Sequence, residues 1–304
     1  MSPSQSLPPL FSDAPIALVP AHIIAEFPVN TFLESIVVDA NNTLFITNHY
    51  DGEIIRIGAD DVPITHATVP GKATGLAFAP DGTLLLTGWD AIDTPVVWQV
   101  SLQGTVDVLV TLPDALFLNG LTHLTDSLYL IADSYRGAIW ELDVAQGSGR
   151  IWLEHPLLAR ATPENPTPAV NGLKIFDRVL YASNTQNAQL VRIPLQAHQP
   201  GEPEVFVQNA NIDDFAFDQA GNLYGTTHVF NSVVKVAPDG HLTTIAQAEQ
   251  GMTGTTAVAF GRSPSNQTYL YVTTNGGMSL PPSTGIEPAK VVRLDVGVEG
   301  LPLL

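Results

Sequence analysis

The sequence contains no cysteine, which excludes disulfides, thiolate metal sites and a cysteine nucleophile, and leaves the redox compartment open. Positive charge is scarce: 12 Lys and Arg stand against 30 Asp and Glu, a formal net charge of −18. Such a surface repels phosphate backbones and anionic lipid, so neither nucleic acid nor a membrane surface is an expected partner. No apolar run approaches ~18 residues, so no helix is expected to span a bilayer. The first basic residue is Arg56; without a positive segment ahead of an apolar stretch, no signal peptide is expected. A soluble, cytoplasmic protein follows as the expectation, with a monomer as the starting point for its oligomeric state.

What is present points to short strands. Only 14% of residues are charged, against a usual quarter, while apolar residues reach 45% and Gly and Pro contribute 24 each. Helical periodicity is weak throughout. Instead, six segments align: Glu34-Ser-Ile-Val-Val, Thr74-Gly-Leu-Ala-Phe, Asn119-Gly-Leu-Thr-His, Asn171-Gly-Leu-Lys-Ile, Asp213-Asp-Phe-Ala-Phe and Thr256-Ala-Val-Ala-Phe. Their first residues are spaced by 40, 45, 52, 42 and 43 positions, the length of one four-stranded propeller blade.

After a turn, each segment is followed by an apolar strand such as Leu44-Phe-Ile-Thr, Leu128-Tyr-Leu-Ile or Leu270-Tyr-Val-Thr. Asp81-Gly82 and Asp239-Gly240 mark hairpins. Third strands read over 53–57, 96–100, 138–142, 189–193, 232–236 and 290–294, and fourth strands over stretches such as 106–112 and 204–207. The sixth unit runs out of chain before a fourth strand, whereas residues 16–27 have that pattern and no unit of their own. The expected fold is all-β: one six-bladed β-propeller over residues 1–304, with four-stranded antiparallel blades. An N-terminal strand is expected to complete the last blade, so that no strand edge is left open, with residues 1–15 loosely held.

In a propeller, the first strand of each blade lines the central channel. Its first residue and the loop after the second strand lie at the same end. Glu34, Thr74, Asn119, Asn171, Asp213 and Thr256 should therefore converge. Two carboxylates and two amides form an oxygen set suited to a hard divalent cation such as calcium; the lack of His and Cys in it disfavours zinc and copper. A single Asn-Gly is an ordinary turn signal. Two in the same phase of neighbouring repeats, with carboxylates in that phase of two others, are better explained by a shared site.

On these residues the chain resembles the calcium-dependent six-bladed propellers of the gluconolactonase/regucalcin group, from about Ile16 to Val296. Paraoxonase and diisopropylfluorophosphatase are more distant relatives. In that family a Glu opens the first blade, an Asn within Asn-Gly-Leu a middle one and an Asp a later one, as Glu34, Asn171 and Asp213 do here. Asn119 matches a further Asn of several branches. The resemblance implies a divalent cation, most simply Ca2+, held by Glu34, Asn119, Asn171 and Asp213, and hydrolysis of a small lactone or ester. Departures exist: Ser35-Ile36 and Asp214 replace the Gly-Pro and Gly often found after the first Glu and the later Asp, and Thr74 stands where paraoxonase carries a catalytic His. Strictosidine synthases share the blades and a similar Glu-Ser-Ile opening without a metal.

In the lactonase reading Asp213 and Glu34 are the catalytic carboxylates, Asp213 acting as base, nucleophile or ligand alone. Loops after the second strands are expected to meet the small-molecule substrate through His49, Trp89, Tyr135, Arg136 and His228, since such loops carry function on a rigid scaffold. The Pro-rich stretches 155–170 and 279–288 are candidates to rim the entrance. Phosphotriester hydrolysis at the same ion, a non-catalytic binding propeller and a strictosidine-synthase-like protein are the competing readings.

Overall fold

The computed structural model describes residues 14–302. Six separate antiparallel sheets follow one another along the chain. Blade 1 spans Leu33 to Thr68, blade 2 Gly71 to Thr111, blade 3 Leu118 to Glu154, blade 4 Val170 to Gln208 and blade 5 Phe215 to Gln247. Blade 6 takes Thr255–Phe260, Tyr269–Thr274 and Pro288–Asp295, and its outer strand is the N-terminal Ala21–Val29, paired antiparallel to Pro288–Asp295. No α-helix occurs among the described residues, which contain two single 3-10 turns, and no described helix is long and apolar enough to cross a membrane.

The N-terminal segment does more than complete blade 6. Ile16 bridges to Thr244 in parallel, and the Ala17 and Val19 N–H groups donate to the carbonyls of Thr244 and Ile245 on the outer strand of blade 5. The outer strand expected over 16–27 therefore divides. Residues 16–19 lie along blade 5, and after Pro20 the chain crosses to blade 6. Most of the 1–15 segment lies outside the described residues.

The core is divided into wedges, one between each pair of neighbouring blades. Successive residues of a strand point to opposite faces of a sheet, and here both faces are covered. Leu84 and Leu86 pack with Ile54 and Ala67 of blade 1, whereas Leu85 between them packs with Leu118 and Ile131 of blade 3. Unbroken apolar runs such as Leu84-Leu85-Leu86 are thus strands buried on two sides. The first strands of blades 1 and 6 share a wedge that includes Leu33, Ile36, Ala257 and Ala259, which seals the ring.

Candidate active site

The six strand-opening residues surround the channel by a repeated device. In blades 1, 2, 3, 4 and 6 the register between first and second strands slips at this position, so that two residues oppose one. Leu33 faces Asn48 and Ile36 faces Ile46, which leaves Glu34 and Ser35 opposite Thr47 alone. Such bulges re-aim side chains and leave backbone groups without ladder partners.

Here a hydroxyl takes them. Thr47 accepts from the Ser35 N–H and donates to the Thr74 carbonyl of the next blade. Thr87 does the same for Gly75 and Asn119, Ser183 for Gly172 and Asp213, and Thr226 for Asp214 and Thr256. Each hydroxyl takes a backbone N–H at the mouth of its own blade and ties that blade to the next.

The glycines after the opening residues in blades 2–4 are not turn glycines. A Cβ on Gly75 would lie 2.3 Å from the Asn119 carbonyl oxygen, and one on Gly120 2.7 Å from that of Asn171. One on Gly172 would lie 2.7 Å from Asp214 Oδ1. Asn-Gly marks close approach of neighbouring blades at the axis.

Glu34, Asn119, Asn171, Asp213 and Thr256 line one cavity of about 410 Å3. Asn171 Nδ2 donates to Asp213 Oδ1 and, at 3.2 Å, to Thr185 Oγ1. Asn119 donates to Ser134 Oγ at 3.3 Å. Thr74 and Thr256 spend their hydroxyls on Leu118 and Leu33 carbonyls, which leaves them structural. Glu34 Oε2 is buried without a hydrogen-bond partner. Burial first, then the carboxylates of Asp213 and Asp214, push the Glu34 carboxyl well above the usual glutamate range. Asp214, the neighbour of Asp213, is paired with Lys174 at 2.7 Å.

His228 completes the arrangement. Its Nδ1 lies 2.5 Å from Asp213 Oδ2, and its Nε2 lies 2.8 Å from Ser279 Oγ and 3.1 Å from Asn275 Nδ2. The carbonyl oxygen of Asn275 accepts from the Gly277 and Met278 N–H groups, which orients its amide and makes Nδ2 a donor toward His228. The ring proton therefore sits on Nδ1, facing the carboxylate, and Nε2 is an acceptor. His228 adopts a φ of 44°, uncommon outside glycine, and this places the loop residue over Asp213. Ser279 belongs to the Pro-rich 279–288 stretch, which reaches the site here.

The other substrate candidates lie apart from the cavity, which runs from the opening residues toward Phe78, Phe260 and Gly300–Pro302 at the opposite end of the channel. None of His49, Trp89, Tyr135, Arg136 and His228 lines it. His49, Trp89 and Tyr135 form a half-buried aromatic arc at the loop end, joined by Phe32 and Phe117. Arg136 is turned to Glu154, at 2.9 Å, and to the Asp114 carbonyl, so it is committed to blade 3. The 155–170 insertion folds back on this rim: Asn184 donates to the Leu157 and Ala159 carbonyls, and Arg160 stacks 4.4 Å above the Tyr135 ring. Phe32 and Phe117 escaped the sequence reading. Each lies two residues before an opening residue, and that shared phase is the signal that could have found them.

The cation implied by the fold can be tested against this geometry. Among the described residues no three His, Cys, Asp or Glu side chains converge as a metal cluster. The two carboxylates and two amides nevertheless border one cavity, and a buried oxygen of Glu34 lacks any partner beside Asp213. Two carboxylates held this way repel each other unless a proton or a cation intervenes. The donor set fits a hard divalent ion.

The whole-chain resemblance is now visible in three dimensions. A regucalcin from Agrobacterium tumefaciens, described as a calcium-binding protein, superposes with a TM-score of 0.72 at 18% identity, over 94% of this chain and 96% of that one. A luciferin-regenerating enzyme gives 0.73 at 14% identity, over 94% and 98%. A gluconolactonase from Xanthomonas campestris gives 0.68 at 14%, over 92% and 91%. The chain has the six-bladed fold of these proteins. In sequence it is 27% identical over 149 residues to a putative hetero-Diels-Alderase of Phoma sp.. That match spans 46% of this chain and 42% of the fungal protein, less than half the length of either. No known protein-family pattern matches the sequence.

Proposed function

We propose that the chain is a divalent-cation-dependent hydrolase of the lactonase type, acting on a small lactone or ester. The observation that carries this reading is the partnerless buried Glu34 oxygen beside Asp213, in a ring completed by two amides. Glu34, Asn119, Asn171 and Asp213 would hold the ion, calcium being the simplest occupant of an all-oxygen set. When bound, the ion supplies Lewis-acid polarisation of the scissile carbonyl. The neighbouring regucalcin and gluconolactonase folds support the same chemistry.

The residues of the chain divide the remaining work. Asn171 holds Asp213 through Oδ1, and Asp213 holds His228 through Oδ2. Asp213 thus orients the His228 ring, and His228 is the general base of this reading, its Nε2 exchanging the contacts with Ser279 and Asn275 for water. In this reading Nε2 takes the proton from water while Asp213 fixes the ring. Asp213 is a ligand and positioning residue in this scheme rather than the base or nucleophile.

The test is calcium titration by calorimetry on chelator-stripped protein, with D213N and N171A alongside, followed by a lactone screen. Binding that both variants weaken, with calcium-dependent turnover, is the expected result. Absence of binding by calcium, magnesium or manganese would overturn the reading. The sequence match to the Phoma protein favours one second reading, a cation-independent ring-forming enzyme in which protonated Glu34 hydrogen-bonds a substrate heteroatom. Activity that survives chelation and is lost in E34Q would select it.

A further inference from the structure

The loop end of the channel is lined by a continuous arc of aromatic rings. The aromatic arc begins at His228, whose ring centroid lies 6.1 Å from that of Phe32, and passes through His49 at 5.5 Å from Phe32. It continues to Trp89, 6.2 Å from His49, then to Phe117 at 4.5 Å and Tyr135 at 4.9 Å. All are half-buried, with Arg160 stacked on one face of Tyr135 and Lys72 Nζ 6.0 Å from the Trp89 ring.

Their polar atoms are largely spent on the backbone. Trp89 Nε1 donates to the Leu116 carbonyl, Tyr135 Oη to the Pro166 carbonyl, and His49 Nδ1 lies 2.6 Å from the Ala73 carbonyl oxygen. Burial also lowers the His49 pKa, so the arc gains no cation there. A polyhydroxylated sugar lactone would lose water from its hydroxyls at this rim and regain few hydrogen bonds, a net cost. A flat apolar ring loses little and gains area and ring–ring contact.

We infer that the ligand of this site carries a flat apolar ring, aromatic or conjugated, which packs against Trp89 and Phe117 while its carbonyl reaches the Asp213–His228 end of the arc. This rests on the lactonase reading for the reacting group, but not for recognition of the ring. The neighbouring chemistry of sugar lactones is therefore not the chemistry of this rim.

Stable lactams separate recognition from turnover. Trp89 is the reporter, because Trp98, Trp140 and Trp152 are 0%, 5% and 9% exposed. The calcium-loaded full chain is titrated with a benzo-fused six-membered lactam, with δ-valerolactam and with the lactam of gluconic acid, following indole fluorescence and heat. The benzo-fused lactam should bind at least about tenfold more tightly than either monocyclic compound and quench Trp89. W89L and F117L should each remove most of that preference, and circular dichroism checks that the fold is kept.

Equal affinities, no binding by any lactam at millimolar concentration, or a preference that survives in both variants would overturn the inference. Binding of the aryl lactam with an unchanged Trp89 signal would do so as well, because it would seat the ring in the cavity at the opposite end. Failure of the lactonase reading looks different: the aryl lactam binds, yet the matching aryl lactone is not hydrolysed.

Discussion

Asp213 Oδ2 lies 2.5 Å from His228 Nδ1, joining the opening residue of blade 5 to the loop that follows that blade's second strand. The contact turns the acceptor Nε2 toward Ser279 and Asn275 and makes a pair out of two residues with separate duties.

Removing the base should therefore be separable from removing the cation site. H228Q should lower lactone turnover by about 10²–10⁴-fold, the usual share of general-base catalysis. Calcium affinity, measured by calorimetry, should stay within a few-fold. A large loss of calcium affinity in H228Q would show that the imidazole holds the ligand set together instead.

The Glu34 carboxyl sets a pH dependence with a definite sign. Its native pKa is raised, by burial and by Asp213 and Asp214. Between the ordinary glutamate value, about 4.3, and that raised value the native state binds more protons than the unfolded chain. The stability contributed by the protonated group is complete below the ordinary value and is lost as pH rises through the raised one. Chelated protein should melt at falling temperature across that interval, and E34Q should flatten the fall. Above the raised value E34Q should be the more stable chelated form, because it carries no charge into the buried site. Excess calcium should stabilise the native chain and leave E34Q unmoved.

Backbone approach at the axis gives a prediction free of any ligand. A Cβ at Gly172 would meet Asp213 O at 2.9 Å and Asp214 Oδ1 at 2.7 Å, whereas one at Gly58 meets only Asp60 Oδ1 at 3.6 Å. G172A should destabilise by about 1–3 kcal/mol, as overpacking does, and weaken calcium binding. G58A should be nearly neutral. Urea unfolding of both variants checks the contrast.

The hydroxyl that stitches blades 2 and 3 should matter as a bond, not as volume. T87V keeps the shape but removes the acceptor for the Gly75 N–H and the donor to the Asn119 carbonyl. A loss of about 2–4 kcal/mol is expected, one to three per buried group left unpaired with partial relaxation. T83V, on an exposed turn where Thr83 Oγ1 bonds Asp81, should cost under about 1 kcal/mol.

The six blades were legible in the chain because the repeat is local: one strand-opening phase, one apolar strand, one turn, recurring at blade length. Third-strand bounds such as 53–57 and 232–236 agree with the structure to the residue, because their apolar residues Ile54, Ile55, Ile57, Val233, Val234 and Val236 are buried between neighbouring strands. Residues 16–19 were misplaced for the opposite reason. A short apolar edge pairs equally well with either neighbour, and only the path around Pro20 sends it first to blade 5.

The site divides the same way. That Glu34, Asn119, Asn171 and Asp213 share one cavity followed from the phase of the repeat, since each opens the first strand of its blade at the axis. The sequence could not pair His228 with Asp213 or commit Arg136 to Glu154, because both contacts depend on loop conformation, in one case on a positive φ at the histidine itself. Nor could it tell that the enclosed cavity runs away from the aromatic loops. Periodicity specifies which way a side chain points along a strand. Which groups meet across the ends of six strands is decided by how the closed ring sets its loops, and that is a property of the tertiary structure alone.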